Sequence, residues 1–331
     1  MQKKEFGVGF IGENSINENI KYAKQADQMG FTNCWIAEDY FYGGVYTMAT
    51  ACVAATENIN VSIGVLNPFT RHPAVIAMES AALYTYSGKR LTLGLGGSNK
   101  VWIEQQAGIP FTRVVSKLDE AITIIRKMVN GETVNHDGEN FHLRDVFLRV
   151  PNAGSLPIFM GVKSEKLLRL AAKKADGVVL SIGASLPYIK WVKEQLEQGA
   201  KEVGRNLDDF SIAAYFVILI DEDRDKAREL CRERVAYMIG LHGDHPIMRI
   251  AGLTPEQIEP FREGFLTGNH RADLVTEEML DTFAIAGTPE ECRQKLRLLY
   301  DAGLTQPVLF DYSLIPMEEN MRRVKEYLFD V

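Results

Sequence analysis

Long apolar runs, basic charge and cysteine are all scarce in this sequence. No apolar stretch reaches the roughly 18 residues that a transmembrane helix needs, so we predict no membrane partner. The 44 Asp and Glu residues outnumber the 37 Lys and Arg residues, for a net charge of -7. This argues against a nucleic acid partner, because nucleic acid binds a basic face. The four cysteines form no CxxC pair, and we interpret them as buried apolar side chains of a cytoplasmic protein.

The familiar catalytic and metal-binding motifs are also missing. The chain has no GxSxG, no P-loop, and no GxGxxG between a strand and a helix. Of the six histidines, only His72 directly follows a predicted strand. His136 and His142 fall on a predicted hairpin, and we expect them at the surface. His242 and His245, in "LHGDHP", lie beyond a helix end, so we predict no metal site.

The sequence does contain a strand followed by a helix, eight times over. Apolar β-branched runs alternate with segments whose apolar residues have helical spacing. The third strand begins at Asn60 and stops within Gly64–Pro68. The alternation predicts parallel strands with crossover helices, and eight units favour a closed (β/α)8 TIM barrel over an open doubly wound sheet. The other predicted strands cover 6–12, 33–39, 90–97, 157–162, 176–183, 210–221 and 306–312.

Two segments interrupt this alternation, and we predict that both are insertions in one domain spanning 1–331. Residues 131–157, after strand four, alternate in hydropathy and contain Asp137-Gly138, which favours a β-hairpin at the rim. Residues 242–284, after strand seven, contain short helical pieces. We expect this second insertion to cover the barrel mouth and to influence the choice of substrate.

The functional residues of such a barrel lie at the carboxyl ends of its strands and in the loops that follow. The loops after strands four, five and six are rich in glycine, which lets a ligand approach the backbone. Lys163 and Ser164 begin a helix, where an anion such as phosphate binds well. The alternative is that these glycines only form tight turns. The candidate ligand-binding residues are Gly97, Ser98, Asn99, Gly161, Val162, Lys163, Ser164, Ser181, Ile182 and Gly183.

Strand eight adds Asp311 and Tyr312 at the same end of the barrel. The mouth thus combines a predicted phosphate site with no metal-binding or nucleophile motif. This combination indicates an organic cofactor that carries the chemistry itself.

Four long stretches resemble one known family, the luciferase-like flavin and deazaflavin oxidoreductases. Within it the chain is most similar to the coenzyme F420-dependent methylenetetrahydromethanopterin reductase group. The third strand followed by "SGKRLTLGLG" is the most specific part. The resemblance implies a barrel, a homodimer, and FMN or coenzyme F420 at the C-terminal mouth. The stretches are "KYAKQADQMGFTNCWIAEDY", "INVSIGVLNPFTRHPAVIAMESAALYTYSGKRLTLGLGGS", "PIFMGVKSEKLLRLAAKKADGVVLS" and "FAIAGTPEECRQKLRLLYDAGLTQPVLF".

The same resemblance interprets the third strand, "NVSIGVLNPFTRHP". It implies a bulge with a non-prolyl cis peptide bond between Gly64 and Val65, packed against the middle ring of the cofactor. It also implies a hydrogen bond from Asn67 to that ring. The alternative is that Gly64 only kinks the barrel. Residues 70–72 would either contact the cofactor tail or only begin the third helix.

Three acid or base positions of the family differ in this chain. The family often has a histidine after strand two, and that position is Asp39 here. An acid common after strand four corresponds to Asn99, and the strand-one glutamate of the methanopterin reductases corresponds to Gly9. These differences argue against transferring the proton donor of the family to this chain, and they weaken a prediction of methanopterin reduction itself.

Glu38 and Asp39 are adjacent carboxylates at the end of strand two. Their side chains point in opposite directions if the strand continues, so we expect only one to face the cofactor. We predict that Asp39 contacts the ring and relays protons, and that Glu38 is a buried anion paired with a cation. Two like charges this close raise one pKa, which suits general acid catalysis near neutral pH.

We therefore predict an oxidoreductase that transfers a hydride between coenzyme F420 and a small organic substrate. The first alternative is an FMN-dependent monooxygenase that uses molecular oxygen. The second is a flavin-binding protein without catalysis, since family acid/base residues are missing, and the third is an unrelated barrel enzyme acting on a sugar phosphate. The expected partners are a small-molecule substrate and a second copy of the chain.

Overall fold

Parallel strands close into a barrel in the computed structural model, which describes residues 5–149, 154–310 and 314–331. The strands are β1 (Gly7–Phe10), β2 (Asn33–Ile36), β3 (Asn60–Leu66), β4 (Leu91–Gly96), β5 (Val134–Asp137), β6 (His142–Val146), β7 (Ile158–Gly161), β8 (Gly177–Leu180), β9 (Ser211–Ile220), β10 (Ala284–Gly287) and β11 (Gln306–Phe310). Around the barrel the order is β1, β2, β3, β4, β7, β8, β9 and β11, and β11 pairs with β1 to close it. The predicted (β/α)8 barrel is therefore confirmed.

Helices surround this barrel, because each parallel strand must be followed by a crossover. None of the helices in the described part of the chain is both long and apolar enough to cross a membrane. The α-helices are α1 (Ile16–Met29), α2 (Val45–Ala55), α3 (Pro73–Tyr86), α4 (Val114–Val129), α5 (Glu165–Lys174), α6 (Leu186–Lys201), α7 (Arg224–His242), α8 (Pro246–Ile250), α9 (Pro255–Thr267), α10 (Glu277–Phe283), α11 (Pro289–Asp301) and α12 (Met317–Leu328).

Local sequence signals set the ends of several helices. At the start of α1 the Ser15 hydroxyl accepts from the Glu18 backbone N–H at 3.3 Å, and the Glu18 carboxylate accepts from the Ser15 N–H at 2.8 Å. Thr288 and Glu291 form the same capping box at α11. Helix α1 ends at Gly30, whose φ of 90° suits glycine.

The barrel interior is filled by side chains below the mouth. Trp35 is fully buried there, and its Nε1 donates a hydrogen bond to Gln306 Oε1 at 2.6 Å. This hydrogen bond satisfies the polar edge of the indole, so the barrel is a packed core rather than a channel. The buried residues of this inner cluster are Trp35, Phe159, Val179, Ala213 and Val308.

Arg90, within "SGKRLTLGLG", connects β4 to the end of α2. Its guanidinium donates to the carbonyl oxygens of Val53, Thr56 and Ile59 at 3.3, 3.1 and 2.9 Å. The last carbonyls of a helix have no partner within the helix, so Arg90 satisfies groups at the end of α2. The part of the chain that most resembles the family thus includes a residue that stabilises the fold.

The predicted hairpin is present, with β5 and β6 antiparallel. Its tip reaches the rim, where Glu139 pairs with Arg113 at 3.2 Å and the ring of Phe141 lies 5.4 Å from that of His72. Residues 150–153 of the predicted segment lie outside the described residues, as do Asp311 and Tyr312 after β11.

The second insertion forms α8, α9, a 3₁₀ turn (Ala272–Leu274) and α10. Helix α9 packs closely on α7, where a Cβ on Gly240 would lie 2.3 Å from the Phe261 carbonyl oxygen. The rings of Tyr237, Phe265 and His270 form a cluster. Burial raises the pKa of Tyr237, and the charges of Glu13 and Asp39 add to this. That the insertion covers a bound substrate stays a prediction.

Candidate active site at the barrel mouth

Strand β3 contains a bulge near the mouth of the barrel. The pairing register with β4 shifts between Ile63 and Leu66, and the Gly64–Val65 peptide bond is cis, as the family resemblance predicted. A Cβ on Gly64 would lie 2.6 Å from Tyr215 Oη and 2.8 Å from a ring carbon of Trp35. Only glycine fits at this position, because both neighbours belong to the packed barrel interior.

Val65, the next residue, lies among glycines of the adjacent strands. A Cβ on Gly96 would lie 2.5 Å from Val65 Cγ2, and a Cβ on Gly161 would lie 2.7 Å from Val65 Cγ1. A Cβ on Gly94 would instead lie 2.2 Å from the Ile63 carbonyl oxygen. Gly96 and Gly161 therefore make room for a protein side chain, which is a different reason for their presence from the ligand contact predicted for Gly161.

The Asn67 side chain organises the loop after β3. Its Oδ1 accepts from the backbone N–H groups of Phe69 and Thr70 at 2.9 and 3.1 Å, and its Nδ2 donates to Tyr40 Oη. Asn67 is 1% exposed. Its amide is thus engaged within the protein, whereas the sequence predicted a hydrogen bond from Asn67 to a cofactor ring. The Tyr40–Phe41 peptide bond in the facing loop is also cis, which the sequence did not reveal.

Arg71 is the cation beside Glu38. Its Nη1 lies 2.9 Å from Glu38 Oε1, and its Nε lies 3.3 Å from Glu79 Oε2. Burial raises the pKa of Glu38, and Arg71 opposes that rise. The other Glu38 oxygen, Oε2, is buried and has no hydrogen-bond partner within the described residues. His72 instead begins α3, where its Nδ1 accepts from the Ala74 N–H at 3.2 Å.

Asp39 lies across from the end of β1. Its Oδ2 accepts from the Gly12 N–H at 2.8 Å, and a Cβ on Gly12 would lie 2.5 Å from the Asp39 Cβ. Burial raises the pKa of Asp39, the Gly12 hydrogen bond lowers it, and the charge of Glu13 raises it further. Burial also raises the pKa of Tyr215, with a contribution from the Asp39 charge. A carboxyl group whose pKa lies above its ordinary value is therefore present at the mouth.

One of the departures from the family has a steric reason, and the residue at another makes a local hydrogen bond. A Cβ on Gly9 would lie 2.6 Å from the ring of Phe310 and 3.1 Å from that of Tyr215, so no side chain fits at this position. Asn99 Oδ1 accepts from the Trp102 N–H at 2.9 Å, at the start of a π-helix over Val101–Gln106. The sequence predicted a helical region there but not a π-helix.

Ser98, in the same loop, has a hydroxyl without a partner. Its φ is 60°, a left-handed conformation that is uncommon for serine. The Oγ is buried and unbonded as far as the described residues show. Beside it, a Cβ on Gly97 would lie 2.8 Å from Val114. The backbone thus holds a hydroxyl in a position that a ligand can satisfy.

The loops after β7 and β8 meet at His242, the last residue of α7. Lys163 Nζ lies 3.3 Å from His242 Nδ1, and His242 Nε2 donates to the Ile182 carbonyl oxygen at 2.6 Å. Gly183, with φ of 96°, lies against the same imidazole. The structure brings Lys163, Ile182 and Gly183 together around His242, which the sequence analysis assigned to the insertion. The spacing of "LHGDHP" after a helix gave no signal for this contact.

The remaining predicted residues line the same loops. Val162 is buried, Ser181 is half-buried, and Ser164 is exposed at the start of α5 without a side-chain capping bond. No group of three or more His, Cys, Asp or Glu residues suited to a metal occurs in the described ranges.

These residues fit an organic cofactor with a polar ring and an anionic tail. The Ser98 hydroxyl and the Glu38 Oε2 atom are buried polar groups without partners, and such groups are rare unless a ligand or water satisfies them. Lys163 forms no ion pair with a described carboxylate, and burial lowers its pKa to about 8. An anionic group at this lysine would compensate the buried charge.

The (β/α)8 barrel and the residues at its mouth are those expected of a luciferase-like oxidoreductase, and comparison with known proteins agrees. The sequence profile of the luciferase-like monooxygenase family matches residues 4–306, and the chain belongs to that family. The resemblance inferred from the sequence is thus confirmed. The chain is 34% identical over 312 residues to the 5,10-methylenetetrahydromethanopterin reductase of Archaeoglobus fulgidus, covering 92% of both chains. The enzyme of that name from Methanolobus tindarius is 32% identical over 306 residues, covering 92% of this chain and 93% of the relative.

A solved structure gives the same result at the level of the fold. The coenzyme F420 dependent tetrahydromethanopterin reductase from Methanopyrus kandleri superposes with a TM-score of 0.90 and 26% sequence identity. The match covers 99% of each chain. The two proteins therefore share their fold over nearly their whole length.

Proposed function

We propose that this protein transfers a hydride between coenzyme F420 and a small organic substrate. The observation that carries the proposal is the β3 bulge at the mouth, where the register with β4 shifts between Ile63 and Leu66 and the Val65 side chain packs against Gly96 and Gly161. Family resemblance associates this bulge with the middle ring of the cofactor. The F420 dependence of the structural relative from Methanopyrus kandleri supports the same cofactor here.

Different residues of the mouth would bind different parts of the cofactor. When bound, coenzyme F420 supplies or accepts the hydride at C5 of its ring. Val65 would support the ring from behind, and Ser98 would donate or accept a hydrogen bond at its polar edge. Lys163 would bind the phosphate group of the tail, together with the N–H groups at the start of α5.

Asp39 is the residue that we propose to hold a proton at the reacting end. Burial raises the pKa of Asp39 above its ordinary value, and a carboxyl group with a raised pKa is better suited to donate a proton. Glu38 would act through its ion pair with Arg71, which positions the loop after β3.

Titration with two cofactors tests this proposal. Oxidised coenzyme F420 and FMN are added separately to the purified protein, and the absorbance of each ring is followed. We expect F420 to bind at least tenfold more tightly than FMN. Tight binding of FMN alone, with oxygen consumption in the presence of NADPH, would instead support the monooxygenase alternative. Binding of neither would contradict the proposal.

A lysine substitution tests the proposed phosphate contact. Lys163→Ala should weaken F420 binding about tenfold or more, since it removes a hydrogen bond between charged groups. The matched control is Lys166→Ala, which removes an equal charge from an exposed position in the first turn of α5, three residues further along the chain. Unchanged affinity in Lys163→Ala would refute this role.

We propose a substrate with an electrophilic carbon that can accept a hydride. Methylenetetrahydromethanopterin is the first trial substrate, because it is named for the relatives at 34% and 32% identity. The reaction is followed as the return of oxidised deazaflavin absorbance after reduced coenzyme is mixed with substrate. If F420 binds but this substrate gives no turnover, the differences at Gly9, Asp39 and Asn99 would have changed the substrate rather than the cofactor.

We also propose a homodimer. Helix α3 exposes an apolar stripe of Val75, Met78, Ala82 and Tyr86, with Met78 52% and Tyr86 63% exposed. Such a stripe indicates a protein interface. We expect analytical ultracentrifugation to give a dimer and Met78→Asp to give a monomer. The control Leu230→Asp, at an exposed leucine on α7, should leave the dimer intact, and a monomeric wild type would contradict the proposal.

We also propose that the protein is cytoplasmic and consists of a single domain. All four cysteines are free and buried, which suits a reducing compartment. The strands of the barrel are drawn from residues 7 to 310, which supports one unit containing two insertions.

A further inference from the structure

We infer that His242 is a positioning residue that holds the Lys163 ammonium ready for the cofactor phosphate. This inference rests on the proposed function, and it assigns a role to one histidine of "LHGDHP". His242 ends α7, yet it contacts the loops that follow two barrel strands. It therefore links the start of α5 to the loop after β8.

The hydrogen bonds define which ring nitrogen carries the proton. His242 Nε2 donates to the Ile182 carbonyl oxygen at 2.6 Å, so the proton lies on Nε2. Nδ1 then has a free lone pair and accepts from Lys163 Nζ at 3.3 Å. The imidazole is fixed at both ends, and the ammonium is fixed through it.

A neutral partner leaves the charge of the lysine available. A carboxylate at this position would also hold Lys163, but it would cancel the charge that a phosphate needs. Burial lowers the pKa of His242 to about 3, with a further contribution from the Lys163 charge, so the imidazole stays neutral at physiological pH. His242 can thus orient the ammonium without competing for it.

The other groups around Lys163 leave its charge uncompensated as well. His245, which precedes α8, has its pKa lowered by burial and by the Lys163 charge. Tyr188 on α6 donates through Oη to the Lys163 carbonyl oxygen at 3.3 Å. Over the described ranges, no Asp or Glu forms an ion pair with Lys163. Lys163 is half-buried, so its charge is available to pair with an anion from outside the chain.

Three substitutions separate positioning from a general structural role. His242→Gln keeps an acceptor and a donor, so it should retain most of the F420 affinity. His242→Ala should weaken F420 binding about tenfold, equivalent to one hydrogen bond to a charged group. His242→Glu should weaken it at least as much, although it still holds the lysine, because it supplies a competing anion. In combination with Lys163→Ala, the His242→Ala change should cost little further affinity.

The pH profile gives a second measurement. The wild-type affinity for F420 should fall as pH rises through about 8, as Lys163 loses its proton, and Lys163→Ala should lack this fall. The inference is overturned if His242→Ala binds F420 within twofold of wild type, or if His242→Glu binds as well as His242→Gln.

Failure of the proposed function remains distinguishable from failure of this inference. If the wild type binds neither F420 nor FMN, the proposed function fails. Inorganic phosphate is then titrated into ¹⁵N-histidine-labelled protein. A shift of the His242 nitrogen resonances in the wild type that is absent in Lys163→Ala supports the subsite. No shift in the wild type overturns it.

Discussion

The contact between Val65 and the surrounding glycines shows how single residues shape the mouth. Where β3 bulges, the side chain of Val65 needs space. The glycines of the neighbouring strands β4 and β7 leave that space open, because they have no side chains. Gly96 and Gly161 are therefore best understood as a set with Val65. Close packing in a protein interior makes even one added methyl group costly.

Gly161→Ala tests this interpretation directly. The added Cβ would lie 2.7 Å from Val65 Cγ1, and all three of its nearest neighbours are Val65 atoms. We expect a loss of about 1–3 kcal/mol in the free energy of unfolding, measured by urea denaturation. The double variant Gly161→Ala, Val65→Ala should lose less than the sum of the two single changes. Simple additivity would show that Val65 is not the obstacle.

From the raised pKa of Asp39 we predict an unusual dependence of protein stability on pH. Its pKa is raised in the folded protein by burial. A carboxyl group of this kind contributes stability below its unfolded pKa and loses that contribution as pH rises through the folded pKa. Asp39→Asn has no charge to bury and should have a higher urea midpoint than the wild type at pH 7. The difference should vanish near pH 3, and a lower midpoint at pH 7 would contradict the assignment.

How far the sequence predicts the site depends on whether a residue acts locally or through distant contacts. The Gly64–Val65 bulge and the position of Lys163 follow from family resemblance and from the strand–loop–helix order. The roles of Asn67 and His242 do not, because their partners, Tyr40 and Ile182, are 27 and 60 positions away in the chain. Only the folded barrel brings these residues together.

At the scale of elements, one carboxylate on helix α4 makes a cluster of polar contacts with the hairpin, whose Val134 and Leu143 side chains pack into the core. Glu120 on α4 accepts hydrogen bonds from the His136 ring at 3.0 Å, from Asn140 Nδ2 at 2.7 Å, and from the backbone N–H groups of Glu139, Asn140 and Phe141. Its side chain is 13% exposed. The hairpin thus depends on an ionised acid.

The pH dependence of this attachment has a definite sign. Burial alone would raise the pKa of Glu120, but hydrogen bonds from His136 and Asn140 hold it at about 2, below the ordinary 4.5. The stability that Glu120 provides is present above about pH 4.5 and is lost as pH falls towards 2. Glu120→Gln should therefore be less stable than the wild type at pH 6, on the order of 2 kcal/mol. Chemical denaturation at pH 6 and pH 3 should show the gap shrinking, and a constant gap would exclude this origin.

The elements that the sequence missed are short or irregular. Strand β10 has four residues, pairs in parallel with Val217–Ile220 and leads directly into a helix, so its apolar run is too brief to distinguish strand from helix. The π-helix at 101–106 differs from an α-helix only in hydrogen-bond spacing, which residue type does not specify. The eight barrel strands, in contrast, belong to a strand–helix pattern that repeats along the sequence, which makes them predictable.

At the scale of the whole molecule, the repeated strand–helix units predict a closed barrel, and the observed strand pairing closes it. Strand β11 pairs with β1 on one side and with β9 on the other, so the two ends of the chain join the same sheet. An open sheet could lose an edge strand without disturbing the rest. A closed barrel has no such edge, and we therefore expect it to open as a unit.

The four cysteines provide a measurement of this cooperativity. Cys34 and Cys52 belong to β2 and α2, while Cys231 and Cys292 belong to α7 and α11, and all four are free and buried. Burial raises the pKa of Cys52, Cys231 and Cys292 to about 12 and that of Cys34 well above 9. Since the thiolate is the reactive form, native thiols should be inert.

We therefore expect the thiol reagent DTNB at pH 8 to label four thiols rapidly in guanidinium and none rapidly in the native protein. Under mildly denaturing conditions, mass spectrometry should detect unlabelled and fully labelled molecules, with all four sites reacting at one rate. Labelling follows the opening of the structure that buries each thiol. If Cys34 and Cys52 reacted many times faster than Cys231 and Cys292, the barrel would open in two parts. Closure of the barrel would then not make its unfolding cooperative.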